Sequence, residues 1–147
     1  MDFVQNFFAP IAVHVREHVA RLEPLLSHPT VGNEVWLKNE AVYPLKTAGT
    51  PVRSMHGKGP DLCLFDGSFV ELKSGVGWNT TYVLNGPEYQ TPCLFLVGGP
   101  SRGAARFLKQ LEPRSRLLAC ERFNFDTGEW VLGLIAPLEA PAVLPGA

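Results

Sequence analysis

The sequence predicts an α/β fold, a mixed β-sheet flanked by helices in a single domain. Its 147 residues suit one hydrophobic core. Apolar residues recur with helical spacing near the start, and shorter segments with strand character follow. The continuous apolar run PCLFLV at 92–97 is bounded by proline and glycine, which is typical of a strand covered on both faces. We expect the domain to span residues 1–136 and a proline-rich tail, 137–147, to fray.

Composition places the chain among ordinary globular proteins, since 46% of its residues are hydrophobic and 18% are charged. Wholesale disorder is thereby excluded. The opening segment has no basic region before its apolar stretch, and charged residues interrupt that stretch well short of the ~20 residues that a membrane span requires. The three cysteines form no CxxC pair and suggest neither a disulfide framework nor a zinc site. We therefore expect a cytoplasmic protein that does not enter a membrane.

The first predicted helix is amphipathic. From Pro10 to Leu26, apolar residues recur at steps of three and four, with charged residues between them. His14 and His18 lie four residues apart, a spacing that suits a metal ion, but the pattern lacks a carboxylate or cysteine partner, which disfavours a metal site there. The N-terminal region 1–28 carries more apolar surface than a small sheet needs, so we expect it to provide a dimer contact.

A second helix is predicted from about Val31 toward Tyr43, where Pro44 and the TAGTP segment end it. An edge strand over Pro51–Ser54 is expected next. The HGKG segment that follows is typical of a loop, because two glycines make its backbone permissive.

A β-hairpin is predicted over residues 61–74. Two short strands, Asp61–Phe65 and Ser68–Ser74, flank an Asp-Gly turn signal. A two-residue loop would place Asp61 opposite Leu72, with Asp61 and Glu71 on different faces. A three-residue loop ending in a left-handed Gly67 places Asp61 opposite Glu71 on a common face. We predict this second register.

The remaining elements are a helix over Ser101–Leu111 and strands over Leu117–Phe125 and Glu129–Ile135. The formal net charge of the chain is −1, which is unfavourable for meeting DNA. Residues 101–122, however, contain six basic side chains against two acidic ones. One face could therefore be basic, and we select Arg102 and Arg106 from this stretch as DNA contacts.

The hairpin also carries the chemistry. Asp61 and Glu71 offer the hard oxygen ligands that Mg²⁺ prefers, and Mg²⁺ needs only one or two carboxylates besides water and substrate phosphate. The Leu72 carbonyl is a further candidate ligand. Lys73 shares the face of Glu71 and could orient a water or offset developing negative charge. The alternative is an ordinary surface hairpin with a Glu-Lys pair.

Pro60-Asp61, nine further residues and Glu71-Leu72-Lys73 resemble the motif of the PD-(D/E)xK nuclease superfamily. The resemblance extends over roughly residues 30–125 in element order. It implies a restriction-endonuclease-like mixed sheet and a Mg²⁺-dependent nuclease in which Mn²⁺ can substitute.

The segment from Val52 to Asp61 is similar to the corresponding stretch of archaeal-type Holliday junction resolvases, and PDLCLFDGSFVELKSG is similar to the hairpin of phage resolvases. This resemblance implies that Ser54 lies near the scissile phosphate. It also implies that Arg53 and Lys58 hold the DNA backbone. His56, beside the motif, is a further candidate DNA contact.

These resolvases also place a glutamate on the helix before the sheet as a metal ligand. Glu34 and Glu40 are the candidates, and a helix places them on different sides. Glu34, in a GNEVWL context similar to the family's helix start, is preferred. Glu40 is interpreted instead as a solvated partner of Lys46 or Lys38. The segment between Glu34 and Arg53 is longer than in compact resolvases.

The function that the resemblance implies is hydrolysis of phosphodiesters in four-way DNA junctions by a homodimer, since two symmetric incisions need two active sites. Two alternatives stay open. One is a small type II restriction-like endonuclease, although few side chains outside residues 101–122 suit base reading. The other is a catalytically silent nuclease fold that binds nucleic acid.

Overall fold

The computed structural model describes residues 2–26, 33–55, 61–64, 66–84, 91–126 and 128–138. Within these ranges the chain forms a single α/β domain with a six-stranded mixed sheet and several helices. The helices are α1 (Ala9–Glu17), α2 (Val19–Leu26), α3 (Asn33–Thr47), α4 (Thr80–Leu84) and α5 (Ala104–Leu111). The strands are β1 (Val52–Ser54), β2 (Leu62–Leu64), β3 (Phe69–Val76), β4 (Cys93–Gly99), β5 (Arg116–Phe125) and β6 (Gly128–Ala136).

The strands lie in the order β1-β2-β3-β4-β6-β5. β1, β2 and β3 form an antiparallel meander, and β4 lies parallel to β3 after the connection that contains α4. β6 pairs antiparallel with both β4 and β5. The predicted mixed sheet is therefore confirmed. No helix in the described ranges has the length and apolar character to cross a membrane.

Two hydrophobic cores lie on opposite faces of the sheet. The first joins α1, α2 and α3 to the sheet and includes Leu62 and Leu72. The second joins α4 and α5 to β4 and β6 and includes Phe95 and Phe107. Every residue of β4 is buried, which confirms that PCLFLV is a strand covered on both faces.

The first predicted helix is divided at His18. A π-helical turn over Val4–Phe8 precedes α1, and His18 separates α1 from α2 with φ −121° and ψ 23°. The His18 N–H donates to the Val15 carbonyl, three residues back, and the His18 Nδ1 lies 2.8 Å from the His14 carbonyl oxygen. The His18 side chain therefore contacts the His14 carbonyl, which in a continuous helix would accept the backbone N–H of His18.

The prediction that Pro44 ends the second helix was wrong. α3 continues through Pro44 to Thr47, because a proline this close to the end costs a single backbone hydrogen bond. The Pro44 carbonyl itself accepts from the Ala48 N–H at 2.9 Å. Gly49, at φ 81°, ends the helix, and the Thr50 N–H donates to the Leu45 carbonyl at 2.8 Å. This is the pattern of a glycine C-terminal cap.

α4 was not predicted. It spans only one turn and a half, too short for a periodic pattern to be visible. The available signal was Asn79, whose side-chain oxygen accepts the Tyr82 N–H at 3.0 Å and caps the helix start.

Glu129 joins α5 to the sheet. Its carboxylate accepts the Ala104 N–H at 3.0 Å and the Arg122 guanidinium at 2.8 Å, and its side chain is 11% exposed. The hydrogen bond from Arg122 and that from the Ala104 N–H lower the pKa of Glu129 from its ordinary value near 4.5. The ionised carboxylate therefore stabilises the fold at neutral pH.

We expect Glu129→Gln to lower the free energy of unfolding at pH 7 by about 1 kcal/mol. Because the pKa is lower in the folded state, this contribution is complete above the unfolded pKa and is lost as pH falls through the folded pKa. Urea unfolding at pH 7 and pH 3 measures the difference between wild type and variant, which should shrink at the lower pH. Glu112→Gln, at an exposed residue, is the control. A difference that is equal at both pH values would contradict the prediction.

Candidate active site

The β2–β3 hairpin has the predicted loop and register. Leu62 pairs with Val70 and Cys63 pairs with Phe69. The Leu64 N–H donates to the Ser68 carbonyl at 2.8 Å, and Gly67, at φ 85°, donates its N–H to the Leu64 carbonyl. The loop thus has three residues, with a left-handed glycine as its last. The described ladder ends at the Leu62–Val70 pair, so the predicted Asp61–Glu71 pairing lies one step beyond it and stays a prediction.

Asp61 lies immediately before β2. Its backbone and its carboxylate both form hydrogen bonds with the backbone of β3. Its N–H donates to the Val70 carbonyl at 3.1 Å, and its Oδ2 accepts the Leu72 N–H at 2.8 Å. The side chain is 22% exposed. These two backbone contacts fix the Asp61 carboxylate against β3, beside the Leu72 backbone.

Glu71 and Lys73 lie on the face of β3 opposite to the buried Leu72. The Glu71 N–H donates to the Pro92 carbonyl at 2.9 Å, which anchors this part of β3 to the start of β4. The register with β4 places Glu71 beside Cys93 and Lys73 beside Phe95. Both polar residues therefore belong to the face that α4 and α5 partly cover.

Tyr82 of α4 is a site residue that the sequence did not reveal. The Lys73 ammonium lies 5.0 Å from the centre of the Tyr82 ring, and the Tyr82 hydroxyl donates to the Ser74 carbonyl at 3.3 Å. An ammonium at this distance from an aromatic face is attracted to the ring. Tyr82 therefore helps to hold Lys73 next to Glu71.

The part of this sheet face formed by β1, β2 and β3 lies beside the buried core and is only partly covered by the described residues. The buried core on this side draws on β4, β6, α4 and α5, and contains no described residue of β1, β2 or β3. Arg53 pairs with Cys63, which pairs with Phe69, so these three share the face of Glu71. Arg53 is exposed and Phe69 is 39% exposed. A basic and an aromatic side chain thus border the two acids.

Ser54 does not lie on this face. It pairs with Leu62, whose side chain is in the core under α3, so the register directs Ser54 away from Glu71 and Lys73. His56 and Lys58 lie outside the described residues. Glu34 belongs to α3 by its backbone, and its side chain also lies outside the described part.

The interpretation of Glu40 as a solvated partner of Lys46 or Lys38 was wrong. Its Oε2 lies 2.5 Å from the His14 Nε2 and 2.8 Å from the Arg21 guanidinium, and its side chain is 12% exposed. His14 is 6% exposed, and Glu40 is a carboxylate partner that the sequence pattern around the two histidines does not reveal. Charged side chains pack here between α1, α2 and α3, because burial of a carboxylate requires such partners.

Lys38, rather than Glu40, is directed toward the site. Its ammonium donates to the Met55 carbonyl at 2.9 Å and lies 3.7 Å from Asp61 Oδ1. Residue 34 lies four positions earlier on α3, and residues at this spacing share one helix face. The position of Glu34, unlike that of Glu40, therefore belongs to the helix face that is turned to Asp61.

The residues present fit a divalent cation of the Mg²⁺ type. Asp61 immediately precedes β2 and Glu71 lies on the neighbouring β3, and such an ion takes its remaining ligands from water and substrate phosphate. Within the described ranges, no three His, Cys, Asp or Glu side chains are grouped so as to hold a metal by themselves. An open site with two carboxylates is compatible with that finding.

Arg102 and Arg106 lie together at the start of α5. Both are exposed, and with Trp78 and Gln110 they line a cavity of about 390 Å³. This cavity lies near the end of β3 remote from Glu71, roughly 20 Å away at about 3.3 Å per strand residue. The structure therefore groups the two arginines with each other and not with Asp61.

Comparison of the chain with protein-family models, curated proteins and solved structures finds no match.

Proposed function

We propose that this chain is a metal-dependent endodeoxyribonuclease of the restriction-endonuclease-like fold, acting on four-way DNA junctions. The observation that supports it most is the contact of the Asp61 carboxylate with the Leu72 N–H, because Leu72 lies between Glu71 and Lys73, which share one face of β3. Phosphodiester hydrolysis needs a cation site and a positive group near the reacting atoms. The two carboxylates would provide the first and the lysine the second.

Each side chain has a separate task. Asp61 and Glu71 would hold Mg²⁺ or Mn²⁺, which when bound polarises the phosphate and lowers the pKa of a bound water. Lys73 orients the water or offsets negative charge on the phosphate. Tyr82 limits the positions that the Lys73 ammonium can take, which favours a preorganised site.

DNA binding would use local charge, because the whole chain has a net charge of −1. Arg53 and Phe69 border the acids on the same sheet face, whereas Arg102 and Arg106 form a second basic region beside Trp78. Arg122 is paired with Glu129 and is less available. Contacts to phosphates at two places fix the orientation of a duplex without reading its sequence, which favours recognition by DNA shape.

We propose a homodimer as the active form. Two symmetric incisions require two active sites at a fixed separation, which a two-fold dimer provides. The outer faces of α1 and α3 carry exposed apolar side chains that suit such a contact, with Val13 41% and Tyr43 65% exposed.

The test uses a four-way junction with each strand end-labelled, a linear duplex with the sequence of its arms, and a plasmid, each with Mg²⁺ or with EDTA. We expect paired symmetric cuts in the junction, no cuts in the duplex, and no cleavage in EDTA. Cuts at a specific plasmid sequence would support a restriction-like enzyme instead. Binding without cleavage in either Mg²⁺ or Mn²⁺ would contradict the proposal and support a silent binding module.

A further inference from the structure

A lysine from the helical layer reaches the carboxylate on which the proposed cation site depends. The Lys38 ammonium lies 3.7 Å from Asp61 Oδ1, with the two side chains 18% and 22% exposed. Its second contact is the Met55 carbonyl at 2.9 Å. Both side chains are mostly buried, so water screens the attraction between the Lys38 ammonium and the Asp61 carboxylate only in part.

The position of this ammonium is well defined. The Met55 N–H donates to the Asp61 carbonyl at 2.8 Å, so Met55, Asp61 and Lys38 are connected in a closed set of contacts. Meanwhile Asp61 Oδ2 accepts the Leu72 N–H. Lys38 thus faces one oxygen of a carboxylate whose other oxygen is already held.

A unit positive charge at this place opposes a second cation. Two like charges within a few ångströms repel each other, and the repulsion is greater where water is partly excluded. The lysine side chain has a flexible four-carbon stem, and Lys38 can therefore withdraw from Asp61 without movement of α3.

We propose that Lys38 is a competing cation for the Asp61 carboxylate: its ammonium neutralises Asp61 in the metal-free protein, and a divalent cation binds only as this ammonium withdraws. The inference rests on the proposed function, since it assumes that Asp61 holds the cation. Lys38 is a positioning residue in this scheme, because it acts through Asp61. Its presence lowers the affinity for the cation and keeps Asp61 in place before the cation arrives.

The test measures Mn²⁺ binding to the full chain without DNA, by the electron paramagnetic resonance signal of free Mn²⁺. Lys38→Gln removes the charge and retains a donor for the Met55 carbonyl, and we expect its Kd for Mn²⁺ to fall about tenfold because a repelling charge is lost. Lys38→Arg keeps the charge and should stay near the wild-type Kd. Lys46→Gln, at an exposed residue of the same helix, is the matched control and should leave the Kd unchanged.

Thermal unfolding checks that each variant is folded, and Lys38→Met is the second charge-removing variant if glutamine disturbs α3. An unchanged or higher Kd in folded Lys38→Gln or Lys38→Met overturns the inference. Asp61→Asn separates this failure from failure of the proposed function. If Asp61→Asn weakens Mn²⁺ binding but removal of the Lys38 charge does not strengthen it, the inference alone fails. If Asp61→Asn binds Mn²⁺ as wild type does, the proposed site fails and the inference with it.

Discussion

Asp61→Asn should reduce cleavage of a four-way junction by about 100-fold or more in Mg²⁺. Asparagine retains a side-chain oxygen that can accept the Leu72 N–H, so the end of β2 should keep its structure. It removes the negative charge that attracts the cation, and losses of 10²–10³ in rate are typical when a charge-stabilising group of an active site is removed. The measurement is single-turnover cleavage of end-labelled junction, with protein in excess.

Asp66→Asn is the matched control for this prediction. Asp66 lies in the loop of the β2–β3 hairpin and is exposed. Its carboxylate accepts the Ser68 N–H at 2.9 Å, and an asparagine side-chain oxygen can form the same hydrogen bond. The two substitutions remove the same charge from the same hairpin, and only Asp61 contacts the Leu72 N–H between Glu71 and Lys73. If both variants cleave alike, Asp61 has no special role, and the proposed site is wrong.

The hairpin that carries Asp61 and Glu71 was predictable because its determinants are local. A turn with glycine at its third position sets the register, and alternation of apolar and polar residues sets the faces. Gly67 supplies the left-handed conformation, at φ 85°. Neither feature depends on how distant segments pack, and so the register follows from a few consecutive residues.

The surroundings of the hairpin depend on tertiary packing, which sequence patterns do not specify. Which side of α3 faces the site is decided by how α3 rotates against α1 and the sheet. In the observed orientation of α3, Glu40 forms ion pairs with His14 and Arg21, and Lys38 forms one with Asp61. Likewise, Tyr82 reaches Lys73 only because α4 crosses this face.

Gly98→Ala should destabilise the fold by about 3 kcal/mol, roughly a 10 °C fall in Tm for a chain of this size. A Cβ at this position would lie 2.3 Å from the Glu129 carbonyl oxygen and 2.6 Å from the Trp130 Cα. Both atoms belong to the backbone of β6, which is paired along its length with β4 and cannot move without loss of hydrogen bonds. Gly75→Ala, in β3, is the control, because a Cβ there meets nothing within 4 Å.

The same substitution separates stability from the proposed chemistry. Gly98 pairs beside Val76, near the end of β3, whereas Glu71 pairs with Cys93 at the opposite end of the two strands. The strain from the added methyl group should therefore remain remote from Asp61 and Glu71. At a temperature well below its Tm, Gly98→Ala should cleave the junction within about twofold of the wild-type rate. A loss of cleavage comparable with that of Asp61→Asn, in protein that circular dichroism shows to be folded, would mean that β4 transmits strain along its length to the candidate site.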